Sequence, residues 1–157
     1  MEVRKATLAD MPELMKVEET CFGIEKFSPE TVKAFVVRDD AFVVLAEDGH
    51  EVRGSAMCMF SKAEREGRVA SVAVLPQFRN QGIGRRLITE CEKHFSGNGL
   101  KRFSLEVDVD NEPAISLYTT KGYEISGMIK DFYGPGRDAF MMVKKPRTGR
   151  KVPVRVS

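Results

Sequence analysis

A strand that runs through a glycine-containing loop into a helix, between Arg68 and Phe95, constrains this chain more than any other stretch. Small and β-branched residues through Val74 predict the strand, and Pro76 ends it. The first N–H groups of the following helix have no partner within it, and the helix dipole adds positive potential. This arrangement predicts an anion-binding site. The helix presents an apolar face made of Leu87, Ile88, Cys91 and Phe95.

The loop between this strand and helix reads R-x-x-G-x-G, from Arg79 to Gly84. It is not a Walker-type loop, which ends in G-K-[ST], because Arg85 and Arg86 follow the second glycine. The glycines at 82 and 84 allow the backbone to approach a bulky phosphate closely. The spacing resembles the acetyl-CoA loop of the GNAT N-acetyltransferases. An ordinary tight strand-to-helix turn is the alternative interpretation of this motif alone.

Length and composition indicate one globular domain of 157 residues, with 42% hydrophobic and 31% charged residues. No apolar run approaches the roughly 20 residues that a membrane span needs. Five acids among residues 1–20 do not suggest a signal peptide. The three cysteines are widely spaced and fit neither a disulfide framework nor a zinc site. His50 and His94 look like a turn residue and a helix-surface residue, so we infer no metal. Free thiols predict a cytoplasmic protein.

The net charge of +2 conceals an uneven distribution. Residues 144–157 hold six basic residues and no acid, which leaves 19 basic and 23 acidic residues, a net charge of −4, in the rest of the chain. An acidic body does not suggest a nucleic-acid-binding domain. The basic segment is interpreted either as a solvated terminus or as a contact for RNA, a ribosome or acidic lipid.

Periodicity and turn residues predict the order β-α-α-β-β-β-α-β-α-β-β, a mixed α/β fold. Asp10-Met11-Pro12-Glu13 predicts a capping box at the first helix, and Ser28-Pro29 begins the second. Residues 41–74 predict three strands with short turns, an antiparallel meander. The helix between strands 68–74 and 102–107 requires those two strands to pair in parallel.

A second motif, L-E-V-x-x-x-N-x-x-A-x-x-L-Y-x-x-x-G-[FY], runs from Leu105 to Tyr123. Together with the preceding R-x-x-G-x-G, it closely resembles the RimI/Ard1 branch of the GNAT family, which acetylates protein N-terminal amines. The resemblance covers essentially residues 1–145 and implies a GNAT fold. We therefore expect a central mixed antiparallel and parallel sheet of about seven strands flanked by about four helices. The expected domain is 1–145, followed by a basic C-terminal tail at 146–157.

Glu106 lies in a strand that we expect to be central and covered by helices. Leu105 and Val107 face one side of this strand, while Ser104, Glu106 and Asp108 face the other. A buried carboxylate is unfavourable unless it is hydrogen-bonded, paired or used in chemistry, and burial raises its pKa towards the range of a general base. In the resembled branch the matching Glu accepts the proton. The alternative is a Glu at the wet end of the strand, bonded to a neighbour.

Asn111, Ala114 and Tyr118 share one helix face at positions i, i+3 and i+7. Asn111 can hydrogen-bond the pantetheine arm and also act as an N-cap. The phenol of Tyr118, with a reference pKa of about 10, can protonate the departing CoA thiolate. The alternative for Tyr118 is a packed aromatic residue with a satisfied hydroxyl.

The resemblance implies acetyl-CoA as cosubstrate. Backbone groups of the first strand would bind its pantetheine, amides of the loop would bind its pyrophosphate, and two arginines would add charge. The expected cofactor-binding residues are Val72, Ala73, Val74, Arg79, Asn80, Gln81, Gly82, Ile83, Gly84, Arg85, Asn111 and Tyr118.

The loop after the first helix mixes apolar residues with a carboxylate, and it either packs as a lid or contacts the substrate. The expected substrate-binding residues are Phe22, Glu25, Phe27 and Tyr133. Two departures from the family pattern concern this side. Arg68 stands where many relatives carry His, and Phe27 takes the place of a frequent Trp. Both departures therefore affect the prediction of which amine is acetylated more than the prediction of acetyl transfer itself.

Three hypotheses follow for the function. The first is acetylation of a protein N-terminus, with a ribosomal protein as one substrate. The second is acetylation of a small amine, a polyamine or a lysine side chain. The third is a module that binds acetyl-CoA without turnover, or a basic-tailed protein that associates with the ribosome. Glu106 and Tyr118 favour catalysis, with Glu106 as general base and Tyr118 as general acid. A monomer or weak dimer and no membrane association are expected.

Overall fold

A computed structural model describes residues 1–146 of the chain. The seven strands form a single sheet in the order β1-β2-β3-β4-β5-β7-β6. The strands are β1 (Glu2–Lys5), β2 (Ala41–Asp48), β3 (Glu51–Ser61), β4 (Glu66–Val74), β5 (Arg102–Asp108), β6 (Glu124–Ile129) and β7 (Ala139–Lys144). The helices are α1 (Met11–Phe22), α2 (Pro29–Val37), α3 (Ile83–Gly97) and α4 (Glu112–Thr120). This element order confirms the predicted mixed α/β fold. The predicted tail, apart from Pro146, lies outside the described residues.

Strand pairing confirms the predicted meander, because β2, β3 and β4 pair antiparallel in sequence. β4 and β5 pair in parallel, as the connecting helix requires, but only from Glu66↔Arg102 to Val69↔Leu105. β5 continues antiparallel to β7, and β6 closes the other edge of the sheet. Past Val69 the two parallel strands therefore diverge, and no strand within residues 1–146 pairs with the second half of β4 on its β5 side.

Apolar side chains cover both faces of the sheet in two separate clusters. The cluster under α3 includes the predicted helix face Leu87, Ile88, Cys91 and Phe95, each fully buried, together with the strand residues Leu105 and Val107. The second cluster, under α1 and α2, includes Leu14, Val17, Val32 and Phe35. Leu105 and Val107 thus face the side opposite to Glu106, as the alternation of the strand predicts.

The predicted capping box at the start of α1 is wrong. Asp10 ends a single 3₁₀ turn, Leu8–Asp10, and its side chain makes no hydrogen bond into α1. It instead accepts the Thr7 N–H at 2.8 Å and pairs with Arg4 at 2.9 Å. The Arg4 guanidinium lowers the pKa of Asp10 to about 2. The Asp10 carboxylate therefore binds Arg4 of β1, and a motif read from neighbouring residues could not predict this pairing.

Two further observations concern the whole described part of the chain. None of the helices within residues 1–146 is long and apolar enough to cross a membrane. All three cysteines are free thiols, with Cys58 and Cys91 buried and Cys21 partly exposed.

Candidate active site

A cavity of about 860 Å³ lies where β4 and β5 diverge. Its walls come from α1 and the loop that follows, from β4 and β5, from the start of α4 and from the segment between β6 and β7. It brings together all four predicted substrate-binding residues and both predicted catalytic residues. The predicted residues that line it are Phe22, Glu25, Phe27, Val72, Glu106, Asn111, Tyr118 and Tyr133.

Glu106 forms an ion pair with Arg68 of the neighbouring strand. Arg68 Nε lies 3.1 Å from Oε1 and 3.0 Å from Oε2 of the carboxylate, and the Glu106 side chain is 10% exposed. Arg68 is paired with Ser104 of β5 in the parallel ladder. Residues two places apart on a strand share a face, so Arg68 lies on the same face of the sheet as Glu106. The carboxylate is thus held in place at the wall of the cavity. The sequence marked Arg68 as a departure from the family but did not identify this pair.

Tyr118 also lines the cavity and is buried, with 8% of its surface exposed. Burial raises the pKa of its hydroxyl to about 12, and the nearby Tyr133 adds to the shift. A raised pKa favours the protonated phenol, so Tyr118 carries its proton throughout the neutral range. The neighbouring Tyr123, whose ring centroid is 6.0 Å away, instead donates its hydroxyl hydrogen to Glu92 Oε2 at 2.8 Å.

Asn111 caps α4 as predicted, because its Oδ1 accepts the Ala114 N–H at 3.2 Å. Asn111, Ala114 and Tyr118 all line the cavity, which confirms that they share the face turned towards it. The capping bond uses the side-chain oxygen of Asn111 and leaves its amide nitrogen for another partner. Both roles expected for this residue are therefore geometrically compatible.

The glycine-containing loop adopts the turn that its sequence predicts. Asn80 and Gly82 have positive φ values of 63° and 79°, and Gly82 is the N-cap of α3. Gly84 follows in the first turn, where a Cβ atom would lie 3.4 Å from Leu117 Cδ2 of α4. The side chain of Ile83 is buried in the core, so only its backbone can face a ligand. Gly84 thus lies near Leu117 of α4, and the first N–H groups of α3 follow the end of β4.

Arginines around this loop make local contacts. Arg79 Nε donates to the Val74 carbonyl at 3.0 Å, and Cys21 Sγ lies 3.5 Å from the same oxygen. Arg85 contacts Thr120 Oγ1 at 3.3 Å. The Val74 carbonyl, expected to face pantetheine, is therefore already hydrogen-bonded, and Ala73 packs into the apolar cluster under α1 instead of lining the cavity.

A bridge between two loops crosses the mouth of the cavity. Arg137 Nη1 lies 2.5 Å from Glu25 Oε1, and Arg137 Nε lies 3.8 Å from Asp108 Oδ2. Glu25 and Arg137 are both about half exposed, so this pair contributes little to stability. Sequence reasoning missed Arg137 and Asp108, since only the fold brings the β6–β7 segment to the loop after α1.

A second cavity contains none of the predicted site residues. It has a volume of about 680 Å³, lies between α2 and the β3–β4 hairpin, and includes Arg68 in its lining. Within residues 1–146, no group of three or more His, Cys, Asp or Glu side chains is arranged to hold a metal ion.

The model of the acetyltransferase (GNAT) family matches residues 9–123 of this sequence, which span both motifs and the strand between them. The chain belongs to this family. The acetyltransferase is 31% identical over 154 residues to an N-alpha-acetyltransferase of Sulfurisphaera tokodaii, and the match covers 89% of this chain and 90% of that relative. The resemblance to the RimI/Ard1 branch is thereby confirmed, and the chain is an N-acetyltransferase.

Solved structures confirm the GNAT fold of the acetyltransferase. The ribosomal-protein-S18-alanine N-acetyltransferase of Escherichia coli superposes with a TM-score of 0.83 at 19% identity, covering 98% of this chain and 99% of that one. An aminoglycoside 6'-N-acetyltransferase complexed with coenzyme A superposes with a TM-score of 0.84 at 18% identity, covering 95% and 100%. Enzymes named for a protein and for a small-molecule substrate thus match equally well, so these likenesses establish the fold alone.

Proposed function

We propose that this acetyltransferase transfers the acetyl group of acetyl-CoA to the α-amine at the N-terminus of a protein. The observation that carries the proposal is the cavity between β4 and β5, which joins Glu106 and Tyr118 to a loop-walled opening. The sequence relationship to an N-alpha-acetyltransferase over nine tenths of the chain supports the same substrate class.

The cosubstrate fits the residues present. The unpaired edge of β4 after Val69 offers backbone groups that a pantetheine amide can bond, and the N-terminus of α3 offers free N–H groups for a pyrophosphate. Val72, Asn111 and the amides from Gln81 to Arg85 would hold the molecule. Acetyl-CoA supplies the acetyl group as an activated thioester.

Glu106 and Tyr118, which both line the cavity, divide the proton transfers. An N-terminal ammonium must lose a proton before its nitrogen can attack, and Glu106 would accept that proton directly or through a water. The leaving sulfur must gain one, and Tyr118 would donate it, since its raised pKa keeps the hydroxyl protonated. Arg68 would keep the Glu106 carboxylate in the orientation that the reaction requires.

A substrate panel tests the proposed amine. Peptides with different first residues, including the mature N-terminus of ribosomal protein S18, would be compared with lysine peptides blocked at the N-terminus and with free polyamines. We expect kcat/KM for at least one free N-terminus to exceed that for every blocked peptide and polyamine. Preferred turnover of a polyamine or of a lysine side chain would contradict the proposal. Ribosome association, cytoplasmic location and a monomeric or weakly dimeric state stay predictions from the sequence.

Replacing Gly84 with Val tests the cofactor loop. The added side chain would lie between the first turn of α3 and Leu117, where a Cβ alone already reaches 3.4 Å. We expect acetyl-CoA affinity to fall about tenfold or more, because the loop amides lose their close approach to the pyrophosphate. Calorimetric titration of the folded variant measures this.

The matched control is Gly97→Val, at the other end of the same helix. Gly97 has open space around its Cβ position. It lies 13 residues from Gly84, so this variant should bind acetyl-CoA as the wild type does. If Gly84→Val binds acetyl-CoA as tightly as Gly97→Val does, the assignment of the loop as the pyrophosphate site is overturned.

A further inference from the structure

Glu18 is a carboxylate on the apolar face of α1. It follows Leu14 and Val17 and precedes Cys21, so these positions share one side of the helix at i, i+3, i+4 and i+7. Glu18 is 2% exposed, whereas the next residue, Glu19, lies on the outer surface. Glu18 interrupts an apolar stripe that packs against the sheet, so its buried carboxylate needs a cation or a hydrogen-bond donor as a partner.

No cation within residues 1–146 supplies that partner. Of the three glutamates that line the cavity, Glu106 pairs with Arg68 and Glu25 with Arg137, but Glu18 takes part in none of the ion pairs among the described residues. Its Oε2 atom is buried and has no hydrogen-bond partner in the part of the chain that the structure describes. Burial raises the pKa of Glu18, and the Phe27 N–H only partly offsets this. A buried carboxylate without a cation is destabilising, so the unpaired oxygen of Glu18 is suited to a ligand that brings a positive charge.

The location of Glu18 identifies the ligand. One turn further along α1, Cys21 Sγ lies 3.5 Å from the Val74 carbonyl, so this face of the helix lies against β4. Glu18 lines the same cavity as Ala70 and Val72, which belong to the part of β4 that no longer pairs with β5. That is the segment where the proposed function brings the two substrates together. Under the proposed function, the substrate is the molecule that carries an ammonium group into this space.

We propose that the Glu18 carboxylate binds the N-terminal ammonium group of the substrate and positions its nitrogen in the cavity. This assignment rests on the proposed function and deepens it. Glu18 forms a charge-assisted hydrogen bond with the ammonium, while Glu106 on the facing strand remains the proton acceptor. The aliphatic stem of Glu18 packs with its apolar neighbours on α1, and its partner arrives only with the substrate.

A comparison of two ligands in two proteins tests the proposal. The ligands are a peptide substrate with a free N-terminal amine and the same peptide with a hydroxyl in place of that amine. Their affinities would be measured calorimetrically in the presence of CoA for the wild type and for Glu18→Gln. A glutamine keeps an acceptor for the Phe27 N–H but has no charge. We expect the wild type to prefer the amine about 10–100-fold and Glu18→Gln to lose most of this preference.

Two further variants make the result decisive. Glu19→Gln, one residue away and outside the cavity, should keep the full preference for the amine. Should Glu18→Gln fail to fold, Glu18→Met replaces it, because an unbranched apolar side chain suits the face of α1 and also removes the charge. In steady-state kinetics, either Glu18 variant should raise KM for the peptide more than it lowers kcat.

The outcomes distinguish the role of Glu18 from the proposed function. An unchanged amine preference in a folded Glu18 variant overturns the role of Glu18 and leaves the proposed function intact. Loss of stability with unchanged preference and KM shows a structural role only, and also overturns it. If the wild type acetylates no peptide N-terminus at all, the proposed function itself fails.

Discussion

Replacing Glu106 with Gln is expected to lower kcat about 10²–10⁴-fold, the usual contribution of general base catalysis. The substitution preserves the shape of the side chain but removes the charge that accepts a proton from the substrate ammonium. Acetyl-CoA affinity should change little, because Glu106 lies in the substrate cavity and not at the start of α3. Steady-state activity assays across a pH range would measure kcat, and calorimetric titration would measure acetyl-CoA affinity.

The pH profile of kcat separates catalysis from packing in the Glu106 variant. Since glutamine does not ionise, the acidic limb of the profile should disappear. Arg68 loses its partner, but its side chain is 35% exposed and retains access to water, so folding should survive. Glu124→Gln, an exposed glutamate on β6, serves as the control and should behave as the wild type does. A variant that keeps the acidic limb and reaches the wild-type rate at high pH would show that Glu106 is not the base. A water held by backbone carbonyls, or Glu25, would then replace it.

Replacing Tyr118 with Phe is expected to lower kcat by a similar factor, about 10²–10⁴-fold, because the leaving sulfur loses its proton donor. The pKa of Tyr118 is raised to about 12, so the phenol is protonated below that pH and no alkaline limb from this group should appear between pH 6 and pH 10. Single-turnover rates with a peptide substrate would report the loss. An acyl donor with a more acidic thiol, whose thiolate leaves more readily without a proton, should recover part of the rate.

Tyr123→Phe is the matched control for Tyr118→Phe, since both tyrosines are buried side by side. The Tyr123 hydroxyl donates to Glu92, so its removal should destabilise the fold by about 1–3 kcal/mol while the folded variant keeps its kcat. Tyr118→Phe should show the reverse, with small loss of stability and large loss of rate. If Tyr118→Phe retains the wild-type rate, its hydroxyl has no part in proton transfer.

Features that depend on sequence spacing were predictable. The strand, loop and helix around Gly82 and Gly84, the parallel pairing that follows from a crossing helix, and the shared face of Asn111 and Tyr118 all follow from local periodicity and chain order. These features locate the cavity and most of the residues in its walls. Their proposed chemical roles come from the family resemblance and await the experiments above.

Features that depend on tertiary register were not predictable. The pairing of Arg68 with Glu106 requires the offset between two strands separated by a whole helix. Arg137 reaches Glu25 only because the β6–β7 segment folds over the loop after α1. Asp10 pairs with Arg4 of β1 and does not cap α1, which again depends on how β1 packs in the fold. Glu18 did carry a local signal, since its spacing from Leu14 places a carboxylate on an apolar face.

The short parallel ladder between β4 and β5 divides the sheet into two mechanical units. Four residue pairs, from Glu66↔Arg102 to Val69↔Leu105, form the ladder that joins the meander to the β5–β7–β6 unit. Hydrogen–deuterium exchange should therefore be faster along residues 70–74 than along β3, and bound CoA should slow it by closing the open edge. A ligand that completes the ladder acts as the missing strand, so occupancy of the site and rigidity of the sheet rise together.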